Sequence, residues 1–126
     1  MKSLPPYAQL LKLRTADRDG ALQFVMPFGD DVVGRPGFLH GGAIAGLLEF
    51  AAFTALRRAL GDDAVTMKPI TVTVDYMRGG TPRDTFADAV IERLGKRVAN
   101  VEAHAWQLDR AKPIAAAQMN VLLRRS

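Results

Sequence analysis

The hydrophobic rhythm of the chain changes at its middle, and the change separates one long helix from a run of strands. Between Gly41 and Leu56 the apolar residues Ile44, Leu47, Leu48, Ala51, Ala52, Ala55 and Leu56 recur at helical spacing, while Ala45, Phe50 and Phe53 fill much of the remaining circumference. A helix apolar on nearly every side belongs in a protein interior. It is predicted to stop near Leu60 and Gly61, with Arg57 and Arg58 in its last turns, where cations favour the helix dipole. Downstream the period falls to two. Ile70, Val72, Val74 and Tyr76 alternate with Thr71, Thr73 and Asp75, which predicts a half-buried strand, broken by Arg78-Gly79-Gly80-Thr81-Pro82. A second strand is expected over about 84–94 and a third, after a Gly95-Lys96 hairpin turn, over 97–108. A last strand over 113–123 follows the turn Asp109-Arg110-Ala111-Lys112. Upstream, Tyr7, Leu10 and Leu11 allow a short helix within 5–15, Asp17-Arg18-Asp19-Gly20 reads as a polar turn, 21–27 as a strand and 29–39 as a loop.

The short connections imply an antiparallel sheet. One such sheet and one apolar helix have a simple packing solution, an α+β arrangement in which the sheet curls around the helix. The strands alone would leave the helix half wet, so an edge or the other face of the sheet is expected to meet a second copy of the chain. At 126 residues a single domain is expected, with its core over about 20–123. A domain of that size can bury roughly two-thirds of its unfolded surface. The absence of cysteine excludes disulfides, thiolate ligands and a cysteine nucleophile. Met1 to Tyr7 lacks an apolar leader core and no stretch of about 20 apolar residues occurs, so the expectation is a cytoplasmic protein with no membrane contact. The net charge of +4 comes from dispersed cations without interleaved aromatics, which speaks against nucleic acid and suits an anionic small ligand.

Glu49 is the only charge between Gly41 and Leu56. A carboxylate inside an apolar helix needs partners or a chemical task, because an isolated buried charge is expensive. It follows His40-Gly41-Gly42 by nine residues, about 13 Å along a helix rising 1.5 Å per residue. Two readings stand side by side: a structural acid paired with Arg57, Arg78 or a helix of another subunit, and a catalytic acid. His40 reads first as a helix cap, and His104, in mid-strand, as structural or solvent-facing. Two glycines in succession need a backbone reason, since each costs about 1 kcal/mol within a helix. Helix-start N–H groups are unpaired and carry positive partial charge, and glycine lets a ligand come close. No cluster with metal-ligand spacing, phosphate-cradling Gly-rich loop or Gly-x-Ser-x-Gly elbow is present.

The segment Gly37-Phe38-Leu39-His40-Gly41-Gly42, Glu49, the strand Thr73-Val74-Asp75-Tyr76-Met77-Arg78 and the turn Arg93-Leu94-Gly95-Lys96-Arg97 resemble the hotdog-fold acyl-CoA thioesterases. The likeness is to the branch holding the phenylacetate-pathway thioesterase and one class of 4-hydroxybenzoyl-CoA thioesterase. It implies a hotdog fold, an antiparallel sheet wrapped around one long central helix, and hydrolysis of an acyl- or aroyl-CoA thioester. It further implies Glu49 as the catalytic carboxylate and Gly41 and Gly42, with His40, as the helix start facing the thioester carbonyl. Phe53, Arg78, Arg93, Lys96 and Arg97 are the substrate-contacting candidates, the last three toward the coenzyme A phosphates. Coenzyme A enters as part of the substrate, and no metal or other cofactor is expected. The resemblance also implies a homodimer or homotetramer with sites between subunits. Two positions depart from it: Gly34 stands where some relatives place Asn, and Pro69 where some place a hydroxyl residue. A hotdog dehydratase or hydratase, and a non-catalytic acyl-CoA-binding module, are the alternatives.

Overall fold

The computed structural model describes residues 6–18, 21–61 and 64–125. A five-residue helix α1 (Pro6–Leu10) leads into β1 (Arg14–Arg18) and β2 (Ala21–Met26), followed by the 20-residue helix α2 (Gly41–Leu60). Four strands complete the chain: β3 (Val65–Tyr76), β4 (Thr85–Leu94), β5 (Val98–Trp106) and β6 (Ala115–Arg125). They form one antiparallel six-stranded sheet in the order β1-β2-β4-β5-β6-β3. The sheet curls around α2, the hotdog fold that the resemblance implied.

The sheet approaches the helix closely because its inner face is made of small residues. Ala87, Ala99, Ala103, Ala105, Ala115 and Ala117 are all buried, and the register sets Ala87 beside Ala105 and Ala105 beside Ala115. Leu47, Leu48, Ala51 and Leu56 of α2, all fully buried, pack onto this floor with Phe24, Val101, Met119 and Val121. Removing a buried leucine such as Leu48 would leave a cavity costing about 2–5 kcal/mol. Helix and hairpins fall where the pattern placed them.

Three details differ from the expectation. The segment before the first expected strand is itself a strand: β1 pairs Arg14 with Val25 through Arg18 with Ala21. Its side chains from Arg14 to Asp17 are exposed, and a strand wet on both faces has no apolar alternation to betray it. The polar turn expected at 17–20 lies partly outside the described residues. β3 starts earlier than expected, at Val65, and is less covered than a half-buried strand. Val72 and Val74 are partly buried, whereas Ile70 and Tyr76 are 55% and 54% exposed. The reason is position: β3 pairs only with β6 and forms an edge of the sheet. A register shift falls between Pro69 and Thr71, where proline has no N–H to give the ladder. The helix, too, is not enclosed on every side; Glu49, Phe50, Phe53 and Thr54 are only partly buried.

Candidate active site

The start of α2 is held in place by the loop before it. His40 N–H donates to the Val32 carbonyl at 2.7 Å, and Leu39 N–H to the Gly80 carbonyl at 3.0 Å. The Gly34 departure has a local reason, since a Cβ there would stand 3.2 Å from His40 Cα. His40 is the N-cap, with extended backbone (φ −69°, ψ 132°), and its Nδ1 accepts from Gly42 N–H at 2.9 Å. Ala43 and Ile44 N–H both donate to the His40 carbonyl, at 3.0 and 3.2 Å. Of the first-turn amides, Gly41 N–H alone has no partner among the described residues. The capping expected of His40 is therefore present, and it separates the two glycines: the Gly42 amide is occupied and the Gly41 amide is available.

Glu49 lies along the same helix. Gly42, Gly46, Glu49 and Phe53 follow i, i+4, i+7 and i+11 spacing, which places them on one stripe of the helix surface. That stripe is turned away from the alanine floor. Among the described residues Glu49 makes no ion pair or hydrogen bond, so the pairing with Arg57 or Arg78 is not formed within this chain. Gly41 and Glu49 are separated by about 12 Å of helix rise.

The chain's two tyrosines converge on the same glycines. Tyr76 Oη, at the end of β3, donates to the Gly41 carbonyl at 2.8 Å, and Tyr7 Oη, from α1, donates to the Gly42 carbonyl at 3.1 Å. In the sequence Tyr76 is one residue of a strand pattern and Tyr7 one of a short helix, and neither carries a site signature of its own. The available signal was Gly46, a third glycine inside an otherwise strong helix, which marks a close approach by something else.

The basic candidates divide between the two ends of the molecule. Arg78 follows Tyr76 by two residues and lines a cleft of about 230 Å³ with Thr81, Gln107 and Lys112 at the end where α2 begins. Arg93, Lys96 and Arg97 lie at the opposite end. β5 runs from Ala105, level with the helix start, to Val98, about 23 Å at 3.3 Å per residue. There Lys96 and Arg97 meet Arg124 and Arg125 around a groove of about 490 Å³, with the Arg125 Nε donating to the Lys96 carbonyl at 3.3 Å. One chain therefore brings His40, Gly41, Gly42, Glu49, Phe53 and Arg78 to one helix and its N-terminal surroundings, and does not bring Arg93, Lys96 and Arg97 to them. His104 pairs with Glu102 at 2.9 Å, and no group of three or more metal-ligating side chains occurs among the described residues.

A single helix wrapped by an antiparallel sheet defines a hotdog protein, and the open amide at the helix start and the carboxylate further along it are its candidate site. The thioesterase superfamily profile matches residues 36–114, and the chain belongs to that superfamily. Thioester hydrolysis is the general chemistry that this membership supports. No curated protein matches the chain. Among solved structures, a Bacillus halodurans protein determined with CoA is similar over 100% of this chain and 83% of its own, at 24% identity and a TM-score of 0.88. A Chromobacterium violaceum protein is 37% identical over 94% of this chain and 83% of its own, with a TM-score of 0.76. A phenylacetic acid degradation-related protein of Ralstonia eutropha is 20% identical over 96% of this chain and 92% of its own, with a TM-score of 0.84. No helix among the described residues is long and apolar enough to cross a membrane.

Proposed function

We propose that the protein hydrolyses an acyl- or aroyl-CoA thioester, with Gly41 N–H polarising the carbonyl and Glu49 activating the attacking water or attacking directly. The observation that carries this reading is the pairing of a Gly41 amide at the start of α2 with a partly buried Glu49 on that helix, both unpartnered among the described residues. As water adds to the thioester carbon, negative charge collects on the carbonyl oxygen, where an oriented N–H and the helix dipole stabilise it. Glu49 takes the water's proton. Collapse of the tetrahedral intermediate breaks the carbon–sulfur bond and expels the CoA thiolate, which the protonated Glu49 can neutralise. The products are the free acid and CoA, and the carboxylate is regenerated. A nucleophilic Glu49 would reach the same products through a mixed anhydride that water then opens.

The 12 Å of helix between Gly41 and Glu49 exceeds the hydrogen-bond reach that one reacting carbonyl requires of both groups. A homo-oligomer resolves this if the Gly41 of one copy works with the Glu49 of another. The exposed edge of β3, which begins beside the helix C-terminus and ends at Tyr76, offers the surface for such pairing. The unpaired state of Glu49 favours catalysis over a binding module locked by an internal ion pair. A screen of short, medium, long and aromatic acyl-CoAs with free-thiol detection tests the proposal. Turnover of one class well above the others is expected, and flat background rates across all four would end the enzyme reading.

A further inference from the structure

α2 opens with two glycines, the residues that hold a helical turn least firmly, and both of the chain's tyrosines are directed at their carbonyls. Burial does not force these bonds. Tyr7 and Tyr76 are 50% and 54% exposed, so water was available to either hydroxyl. Each ring also lies against the helix where a side chain is missing. A Cβ on Gly46 would stand 2.3 Å from Tyr7 Cε2 and 3.1 Å from Leu11 Cδ1, so α1 is seated in a notch that exists only because residue 46 has no side chain. Glycine in a helix interior costs about 1 kcal/mol relative to alanine, and here that cost secures the docking of Tyr7. On the other side, a Cβ on Gly41 would meet Tyr76 Cζ and Oη at 3.5 Å. The free Gly41 amide thus has one tyrosine ring beside it, and the stripe from Gly42 through Gly46 toward Glu49 begins beneath the other.

The geometry points to Tyr7 and Tyr76 as positioning residues of the thioester site, an assignment that rests on the reading of Gly41 and Glu49 as that site. Their hydroxyls hold the Gly41 and Gly42 carbonyls, and through them the peptide planes of a turn that two glycines would otherwise leave loose. An oxyanion donor misplaced by about 1 Å can cost on the order of 100-fold in rate, so a loose first turn is a catalytic liability. Tyr7 also makes α1 part of the site, although nothing in that segment resembles a catalytic motif.

Five variants test the assignment: Tyr76→Phe, Tyr7→Phe, Tyr7→Ala, Gly46→Ala and the double Tyr7→Ala/Gly46→Ala. Tyr76→Phe removes one oxygen and should lower kcat about 5- to 20-fold, with KM for the CoA thioester changed less than about twofold. Tyr7→Phe should show the same split with a smaller loss. Gly46→Ala displaces the Tyr7 ring and should reproduce the kcat loss of Tyr7→Ala. The double variant should be no slower than either single one, because both remove the same contact. Its melting temperature should recover toward wild type as alanine improves the helix, so activity and stability move apart. Wild-type kcat and KM in both Phe variants, additive losses in the double variant, or losses that simply track melting temperature would each overturn the assignment. Amide hydrogen exchange separates this outcome from failure of the enzyme reading. If no thioester is turned over, faster exchange of the hydrogen-bonded Gly42, Ala43 and Ile44 amides in Tyr76→Phe and Tyr7→Phe still supports the positioning role, and unchanged exchange removes it.

Discussion

Replacing Glu49 by glutamine separates a catalytic acid from a structural one, because the structure predicts opposite patterns. Glu49 is partly buried and makes no ion pair or hydrogen bond among the described residues, so Glu49→Gln removes no visible stabilising contact. Near-isosteric changes that touch no such contact stay within about 0.5 kcal/mol. With an unfolding entropy near 2.1 cal/mol/K per residue, 126 residues give about 0.26 kcal/mol/K, and the melting temperature should move by no more than about 2 °C. Turnover should respond differently. Glutamine keeps the size and polarity but can neither take a proton from water nor attack as a carboxylate, so kcat should fall about 100-fold or more, equivalent to about 2.7 kcal/mol of barrier. Glu49→Asp retracts the charge by one methylene and should keep partial activity. Thiol release and thermal unfolding measured on the same preparation decide the matter. A Glu49→Gln protein that melts normally and turns over at the wild-type rate would refute the reasoning. So would a variant that loses stability while keeping its rate per folded molecule.

The remaining expectations are shorter. His40→Ala removes the acceptor of the Gly42 amide and should cost about 1 kcal/mol, or roughly 4 °C in melting temperature, with His40→Asn recovering most of it; equal melting of all three proteins would deny the cap any weight. β3 presents an exposed edge with Ile70 outward, so sedimentation should find at least a dimer of the 13.7 kDa chain at micromolar concentration, and Ile70→Lys should shift it toward monomer; a wild-type chain that sediments only as monomer would rule out pairing through this edge. If the Arg93, Lys96 and Arg97 end reaches the coenzyme phosphates of a neighbouring copy's site, neutralising these residues should raise KM more than it lowers kcat. A substrate truncated to the pantetheine thioester should feel less of the change, whereas equal losses on both substrates would count against phosphate contact. On the outer face of the sheet, a hydrogen bond that protonated Glu92 donates to the Glu102 carboxylate, with burial and the Glu102 charge adding, raises the Glu92 pKa from its ordinary value. A raised carboxyl binds its proton more tightly in the folded state, so the stability it contributes is present at acid pH and lost as pH rises through the raised value. Glu92→Gln should therefore raise the melting temperature at pH 7, by a margin that closes below about pH 4; a margin independent of pH would refute the coupling.

The parts legible in the sequence are those set by neighbours along the chain. The apolar period of 3.6 announces α2, the two glycines and His40 mark its start, Gly61 marks its end, and alternation with short polar turns announces β4, β5 and β6. Glu49 stands out because a charge in an apolar helix breaks the pattern around it, and its distance from His40 is fixed by helix rise alone. The strand β1 escaped because its side chains face water on both sides, leaving no alternation to read. Everything that depends on which distant segments meet was decided by the tertiary structure. The pairing of β3 with β6 makes β3 an edge and carries Tyr76 to the Gly41 carbonyl, while the docking of α1 carries Tyr7 to Gly42. The same sheet register sends Lys96 and Arg97 to the far end from the helix start, although the sequence offered them as site residues alongside Arg78. His40 likewise had a legible role as a cap, but only the fold, by aiming its Nδ1 at Gly42, decided that Gly41 keeps the free amide. Periodicity reports the surroundings of each residue along its own element, whereas a site is assembled from contacts whose geometry no single element contains.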